Sequence, residues 1–342
     1  NTTADNNTAL GYTALTANTT GVRNVAIGEG ALLSSTTASF NTAVGALAAD
    51  AITTGANNTA IGLQALTAAT TSDNNTAVGF QSLLLNTTGE NNTAVGSLAL
   101  DANTTGIQNV GIGINALGAN TTANNNVGVG TNALLTNTTG TQNTAIGTFA
   151  LDANTTAGNN TAVGYASLGA NTTGTSNIAM GSFALLANTT GDQNTAIGQN
   201  TLASNTTADN NTSVGFNSLT SNTTGTENTA VGTSAMDACT TGSFNVGMGI
   251  NALGALTTAS FNTGVGTGVM ASITSGNHNT GMGYTTLDSN TTGIQNVAIG
   301  NNALTANTTA NNNTAVGYNS LATNTTGAGN VAVGANALDA GN

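Results

Sequence analysis

The hydrophobic and polar positions of this chain recur with one fixed 17-residue period. The pentapeptide Asn-Thr-Ala-Val-Gly, or a close variant, runs from 7–11 to 330–334 in 20 copies without an insertion. The consensus is N-T-A-[VI]-G-x-x-A-L-x-x-N-T-T-[GA]-x-x. A strict repeat of this kind is typical of a solenoid, in which each repeat is one structural unit that stacks on its neighbours.

Two apolar positions keep their phase in the repeat. The residue before the motif glycine is always Leu, Ile, Val or Met, as at Leu10 and Ile27; we call this the aliphatic column. The residue four places after the glycine, the leucine column, is Leu or Met in every copy except at Ala49. Disordered Asn-, Thr- and Gly-rich tracts have no such phase. We therefore predict that both columns form the core.

The motif itself has the pattern of a short β-strand. Successive strand residues face opposite sides, so Ala26 and Ala43 point away from the aliphatic column. Their position, the small-residue column, accepts only Ala, Gly or Ser, which indicates close packing. Glycine and β-branched residues in register disfavour helix.

These patterns predict an all-β fold, a parallel β-solenoid or β-roll of 20 coils, each a 17-residue repeat with two short strands. At about 4.8 Å per coil the rod would be about 95 Å long. We expect a single repeat domain over 1–342, forming a segment of a longer chain.

So short a coil buries few large side chains, which predicts association between chains. Its core would only weakly offset a chain entropy of about 1–2 kcal/mol per residue. We therefore expect an oligomer or a laterally associated fibre, held through the small-residue column at Ala26, Ala43, Ala60 and Ala77.

Asparagine occupies two distinct columns. The first residue of the motif is Asn in all 20 copies, which predicts a structural hydrogen-bonded ladder. Its first six members are Asn7, Asn24, Asn41, Asn58, Asn75 and Asn92. The Asn of Asn-Thr-Thr, the turn asparagine column, is replaced by Ile52, Cys239 and Leu256, so we expect it to be buried. Burial and crowding of neighbouring coils argue against systematic glycosylation of the repeated Asn-Thr-Thr and Asn-Asn-Thr sequons.

Composition narrows the possible partners. Charged residues form 4% of the chain, and the net charge is −12 with Arg23 as the single cation. No basic surface is available for phosphates, so nucleic acid is not expected as a partner. The chain also lacks an apolar run of about 18 residues, so it contains no predicted membrane span.

No constellation of residues predicts catalysis. Asp50, Asp101 and Asp152 are three coils apart, or about 14 Å along the rod, too far to share calcium or to act as an acid–base pair. Cys239 and His278 are the only residues of their types and occupy different phases. We therefore expect a non-enzyme with no catalytic residue, metal site or cofactor, whose carboxylates form a solvated face.

Aromatic residues directly after the motif glycine are the candidate contact residues. If they are exposed, they form a sparse line suited to weak, repeated contact with sugars or surfaces; the alternative is packing at a subunit junction. They are Tyr12, Phe80, Tyr165, Phe216, Tyr284 and Tyr318.

The motif resembles the head repeats of a known family. Asn-Val-Ala-Ile-Gly at 24–28 and 296–300, followed by Ala31 or Ala303, is similar to repeats of trimeric autotransporter adhesins. That resemblance implies a left-handed parallel β-roll assembled as a trimer. Similar arrays also occur in phage tail-fibre-like proteins, although the coil here is longer than the usual adhesin repeat by an Asn-Thr-Thr turn.

The expected function is accordingly that of an extracellular fibre or adhesin shaft, on a cell surface or a virion. Such a shaft would display or mediate attachment to glycans or a host receptor. An ice-binding solenoid is the alternative, because Thr ladders could order water, although only one of two adjacent threonines can face outward from an extended strand.

Overall fold

The computed structural model describes residues 3–339. The chain divides into two compact units, Asn1–Thr173 and Gly174–Asn342. Each unit is a parallel β-solenoid built from 17-residue coils, which confirms the predicted fold class.

The first unit contains ten three-residue strands among its described residues. They are β1 Thr8–Leu10, β2 Val25–Ile27, β3 Thr42–Val44, β4 Thr59–Ile61, β5 Thr76–Val78, β6 Thr93–Val95, β7 Val110–Ile112, β8 Val127–Val129, β9 Thr144–Ile146 and β10 Thr161–Val163. Consecutive strands pair in parallel with a 17-residue register, as in Thr59↔Thr76. Like residues therefore stack in columns.

The second unit repeats this arrangement within its own described residues. Its strands are β11 Ile178–Met180, β12 Thr195–Ile197, β13 Thr212–Val214, β14 Thr229–Val231, β15 Val246–Met248, β16 Thr263–Val265, β17 Thr280–Met282, β18 Val297–Ile299, β19 Thr314–Val316 and β20 Val331–Val333. They too pair in parallel with a 17-residue register, as in Val246↔Thr263.

Each coil contains one strand, and the prediction of two was wrong. After the motif glycine the chain adopts positive φ at alternate residues, as at Leu98 (φ 58°) and Leu100 (φ 52°). Left-handed residues cannot continue a pleated strand. Coils are nevertheless hydrogen-bonded here, since the Leu100 amide donates to the Ala116 carbonyl at 3.0 Å.

The motif glycine is required by both backbone conformation and space. Gly96 has a φ of 138°, a region that side-chain-bearing residues rarely adopt. A Cβ at this position would lie 2.5 Å from the carbonyl oxygen of Gly113 in the next coil. Stacking at this corner therefore excludes any other residue.

The leucine column lies in the core, as predicted, but the aliphatic column does not. Leu32, Leu66 and Leu100 have no exposed surface, whereas Ile61 is 39% exposed. The strand centres, by contrast, are buried at 0%, as at Ala60. The strand therefore presents its small residue inward and its aliphatic residue outward, the reverse of the expected orientation.

The leucine column provides the physical reason for this orientation. A Cβ added to the strand centre Gly111 would lie 3.2 Å from Cγ of Leu100. The large side chain that fills the coil thus comes from the segment opposite the strand. Only a small strand residue fits against it, because close-packed interiors leave little free volume.

The small-residue column consequently cannot be the predicted contact between chains. Ala26, Ala43, Ala60 and Ala77 all have zero exposure within one chain. Their restricted size reflects packing inside the coil, so the expectation that this column holds chains together was wrong.

Candidate functional surface

Motif asparagines form a buried ladder that joins each coil to the next. The Asn24 amide donates to Oδ1 of Asn7 at 2.8 Å, and the Asn41 amide donates to Oδ1 of Asn24 at 3.0 Å. The side-chain amide of Asn24 also donates across the coil to the Ala38 carbonyl at 2.8 Å. Each side chain thus closes its own coil and satisfies a backbone donor of its neighbour.

The turn asparagines form a second interior ladder. Asn103 donates through Nδ2 to Oδ1 of Asn86 at 2.7 Å and to the Gly106 carbonyl at 3.0 Å. This column is buried, as predicted, and Ile52 and Cys239 are equally buried where they replace asparagine.

Each unit interrupts this second ladder for three consecutive coils. The replacements are Ser35, Ile52 and Ala69 in the first unit, and Cys239, Leu256 and Ile273 in the second. Next to the second interruption, Oδ1 of Asn222 is buried without a hydrogen bond, because Cys239 has no amide to donate.

The two turn threonines have different surroundings. The first donates its hydroxyl to the equivalent carbonyl of the next coil, as Thr19 does to Thr36 at 2.9 Å. The second is exposed in every described coil and is Thr in each, except at Ser275. None of these second hydroxyls forms a side-chain hydrogen bond within 3–339. The molecule therefore carries one outward hydroxyl per coil that its own fold does not use.

The two kinds of sequon differ in accessibility. The acceptor of Asn-Thr-Thr is buried, as at Asn86 and Asn103. The acceptor of Asn-Asn-Thr is the residue before the motif asparagine, and Asn57, Asn74 and Asn91 are exposed there. The expectation that burial protects the sequons holds for the first kind and is wrong for the second.

The six predicted contact aromatics are all exposed. Tyr12 is 77% exposed, whereas Phe80, Tyr165 and Phe216 are 45–48% exposed. The other two are 54–57% exposed: Tyr284 and Tyr318. Two or more coils separate the members within each unit, so they do not converge on one site. Tyr165 packs edge-on against Phe149, with ring centroids 6.0 Å apart.

A second aromatic column lies five residues before the motif glycine, and the sequence analysis did not identify it. Phe244, Phe261 and His278 stack on one another with centroids 5.0 Å apart and planes within 3°. In the first unit the Arg23 guanidinium lies over the Phe40 ring at 5.5 Å.

A sequence signal for this column exists. Its four rings each come five residues after a replaced turn asparagine, as Phe40 follows Ser35. In these coils, ring contacts on the outside accompany the loss of an amide ladder inside.

The carboxylates belong to two environments. Asp192 accepts the Thr175 amide at 2.6 Å, and Asp209 accepts the Asp192 amide at 2.7 Å, so these side chains hold neighbouring coils together. Asp50, Asp101 and Asp152 are half-buried five residues after the glycine, and desolvation raises their pKa despite backbone hydrogen bonds. The expected fully solvated face is therefore only partly observed.

Cys239 and His278 lie in different environments. Desolvation raises the pKa of the Cys239 thiol to about 12, although its Sγ contacts the Gly242 carbonyl at 3.6 Å. His278, in contrast, belongs to the exposed ring stack. A thiol with so high a pKa is a poor nucleophile near neutral pH.

Within 3–339, no group of three or more His, Cys, Asp or Glu side chains could hold a metal ion. The same residues contain no helix long and apolar enough to cross a membrane. One depression of about 300 Å³ lies at the last described coil, lined by residues such as Leu321, Asn324 and Leu338. Inner coils cover the equivalent residues with the following coil, so this depression is an open end of the core.

These features define the chain as a tandem-repeat parallel β-solenoid whose interior is occupied by leucine and asparagine columns. Neither the protein-family models nor the curated proteins include a match to it.

Proposed function

We propose that this chain is a structural shaft of an extracellular fibre or adhesin, on a cell surface or a virion. The observation that carries the proposal is the use of the same coil-to-coil bonding in both units. Strand pairing, the motif asparagine ladder and the first-threonine ladder all recur with the 17-residue period in both units. Such an array sums nearest-neighbour contacts and extends in proportion to its number of repeats.

The outer surface suits display or attachment. Exposed aromatics recur along both units, and weak contacts repeated on one molecule gain strength through multivalency. Glycans or a receptor on a host surface are the partners that we propose for the aromatic line, with the chain acting as a self-associated fibre.

Particle length tests the shaft directly. Electron microscopy of the purified chain should show elongated particles, and deletion of three coils of the first unit, residues 80–130, should shorten them by about 14 Å. Because the deleted segment is three whole repeats, the phase of the remaining repeats stays intact. A compact particle, or one whose length does not follow coil number, would contradict the proposal.

Attachment is tested separately on glycan arrays and cells. We expect wild-type binding to decrease after simultaneous Phe216→Ser, Tyr284→Ser and Tyr318→Ser substitution. If the wild type binds and the triple variant binds equally, the aromatic line is not the contact surface.

Ice binding is the second candidate because of the second turn threonines. These hydroxyls are exposed at every described coil and hydrogen-bond to no other side chain or backbone group of the described chain. In pairs such as Thr87 and Thr88, the first threonine donates its hydroxyl to the next coil and the second faces water. A thermal-hysteresis assay tests this function: ice-growth inhibition that is lost in Thr88→Lys, Thr105→Lys would support it, and no hysteresis would exclude it.

A further inference from the structure

The outward face of the strands is uncharged and combines threonine with aliphatic side chains. It consists of the first strand residue, which is Thr, Val or Ile, and the aliphatic column two residues later. In the second unit Met180, Met248 and Met282 are 40–44% exposed on this face. Neither column contains a charged residue, although the whole chain carries −12. We refer to these two columns as the strand face.

The strand face is large for an uncovered surface. Ten coils at about 4.8 Å per step extend over about 43 Å, and two outward columns with their side chains are about 10 Å wide. Each unit thus presents about 430 Å² as a strip, within the range of the largest apolar patches on isolated soluble proteins. A standard interface takes about 800 Å² from each partner, so the strip of one unit supplies about half of that area.

The richest part of the strand face lies in three consecutive coils of the second unit. Met248, Val265 and Met282 follow one another there, and the stacked rings of Phe244 and Phe261 come four residues before the first two. Methionine and aromatic side chains are enriched where interfaces are buried.

The ring stack that precedes these strands is itself poorly suited to a sugar. Sugars bind aromatic rings through the ring face, whereas both faces of Phe261 are covered, by Phe244 and by His278. The rings therefore present their edges, which suits packing against apolar side chains.

Resting on the proposed shaft function, we propose that the strand face binds the strand face of a second copy of this chain. Two acidic chains repel each other, so close approach requires surfaces without charge, and the strand face provides one. A second copy also carries the same columns at the same rise per coil. Side chains of the two sheets can therefore interdigitate coil by coil, as in packed β-sheets about 10 Å apart.

Sedimentation equilibrium of the full chain between about 1 and 100 μM tests this surface. The test variant is Met248→Lys, Val265→Lys, Met282→Lys. The matched control places the same charges on the second-threonine column seven residues earlier, as Thr241→Lys, Thr258→Lys, Ser275→Lys. Both variants reduce the magnitude of the net charge from −12 to −9 and thereby weaken the general repulsion between chains.

We expect the wild type and the control to be oligomeric and the strand-face variant to associate at least about tenfold more weakly. A milder variant is Met248→Thr, Val265→Thr, Met282→Thr. Threonine is compatible with a β-strand but less apolar, so this variant should also weaken association. Circular dichroism of each variant should match the wild type.

Three outcomes would overturn the proposal: a monomeric wild type at 100 μM, an oligomer unaffected by both strand-face variants, or equal weakening by strand-face and control variants. A monomer whose particle length still decreases when coils are deleted would leave the shaft function intact. A compact particle would contradict the shaft function whatever its mass.

Discussion

At the residue scale, position within the coil decides what a substitution costs. Leu168 is fully buried, whereas Asp152 is half-buried and has a raised pKa because of desolvation. The two residues lie one coil apart in the same unit. They therefore separate the contribution of the interior from that of the surface.

We predict that Leu168→Asp strongly destabilises the chain and that Asp152→Ala does not. An unpaired carboxylate in the leucine column is costly, and we expect a loss above about 4 kcal/mol in the free energy of unfolding. Removing the desolvated Asp152 carboxylate should change stability by less than about 1 kcal/mol at pH 7. Urea unfolding measures both, and equal losses would contradict the assignment of inside and outside.

We predict that Ala60→Leu destabilises the coil itself. The extra side chain has no room against the leucine column, and overpacking costs about 1–3 kcal/mol. Ile61→Leu, on the exposed neighbouring residue, is the control and should be nearly neutral. If Ala60→Leu weakened association while leaving the unfolding transition unchanged, the strand centre would face another chain after all.

At the element scale, the repeat reveals the coil but not which side of the strand is inside. Period and register follow from the fixed phase of the glycine, and the leucine column follows from its near-invariance. Alternation along a strand shows which residues share a face. Hydrophobicity then favours the face that carries Val, Ile and Leu as the buried one. The outcome depends on Leu100 and its equivalents, which fill the narrow coil from the opposite segment.

Surface features were predictable to differing degrees. The exposed line from Tyr12 to Tyr318 could be read from its phase. The stack of Phe244, Phe261 and His278 has a sequence signal in its 17-residue spacing, but the contact between the rings depends on the left-handed backbone at those positions, with φ near 60°.

We predict that replacing one motif asparagine of the ladder lowers the stability of the folded chain. Asn109→Ala removes the oxygen that accepts the Asn126 amide and the donor to the Ala123 carbonyl. Leaving buried backbone groups unpaired should cost about 2–4 kcal/mol. Thr105→Ala, at an exposed column of the same coil, is the control. Similar melting temperatures for both variants would refute a structural role of the ladder.

At the scale of the whole molecule, charge makes stability depend on pH. Desolvation raises the pKa of Asp50, Asp101, Asp152, Asp237 and Asp288. The folded chain therefore binds protons more tightly than the unfolded chain at these groups, whose unfolded pKa is about 4. Stability must fall as pH rises from about 4 through the raised folded values. Repulsion within an acidic chain acts in the same direction.

We accordingly predict a higher midpoint of urea unfolding at pH 4 than at pH 7. Replacing Asp50, Asp101 and Asp152 by Asn should reduce this difference. A midpoint that increases with pH would show that these carboxylates are stabilised in the folded chain as ions.

The most direct test of the central claim, that each 17-residue repeat is one coil stacked in register, is the distance between paired spin labels. In a Cys239→Ser background, labels at Thr88 and Thr105 should lie about 5 Å apart at their attachment points and show strong spin exchange. The control pair, Thr88 and Thr139, is separated by three coils and should show dipolar broadening without exchange. Exchange in the first pair alone is the predicted result. Its absence there, or its equal presence in both pairs, would contradict the one-coil repeat.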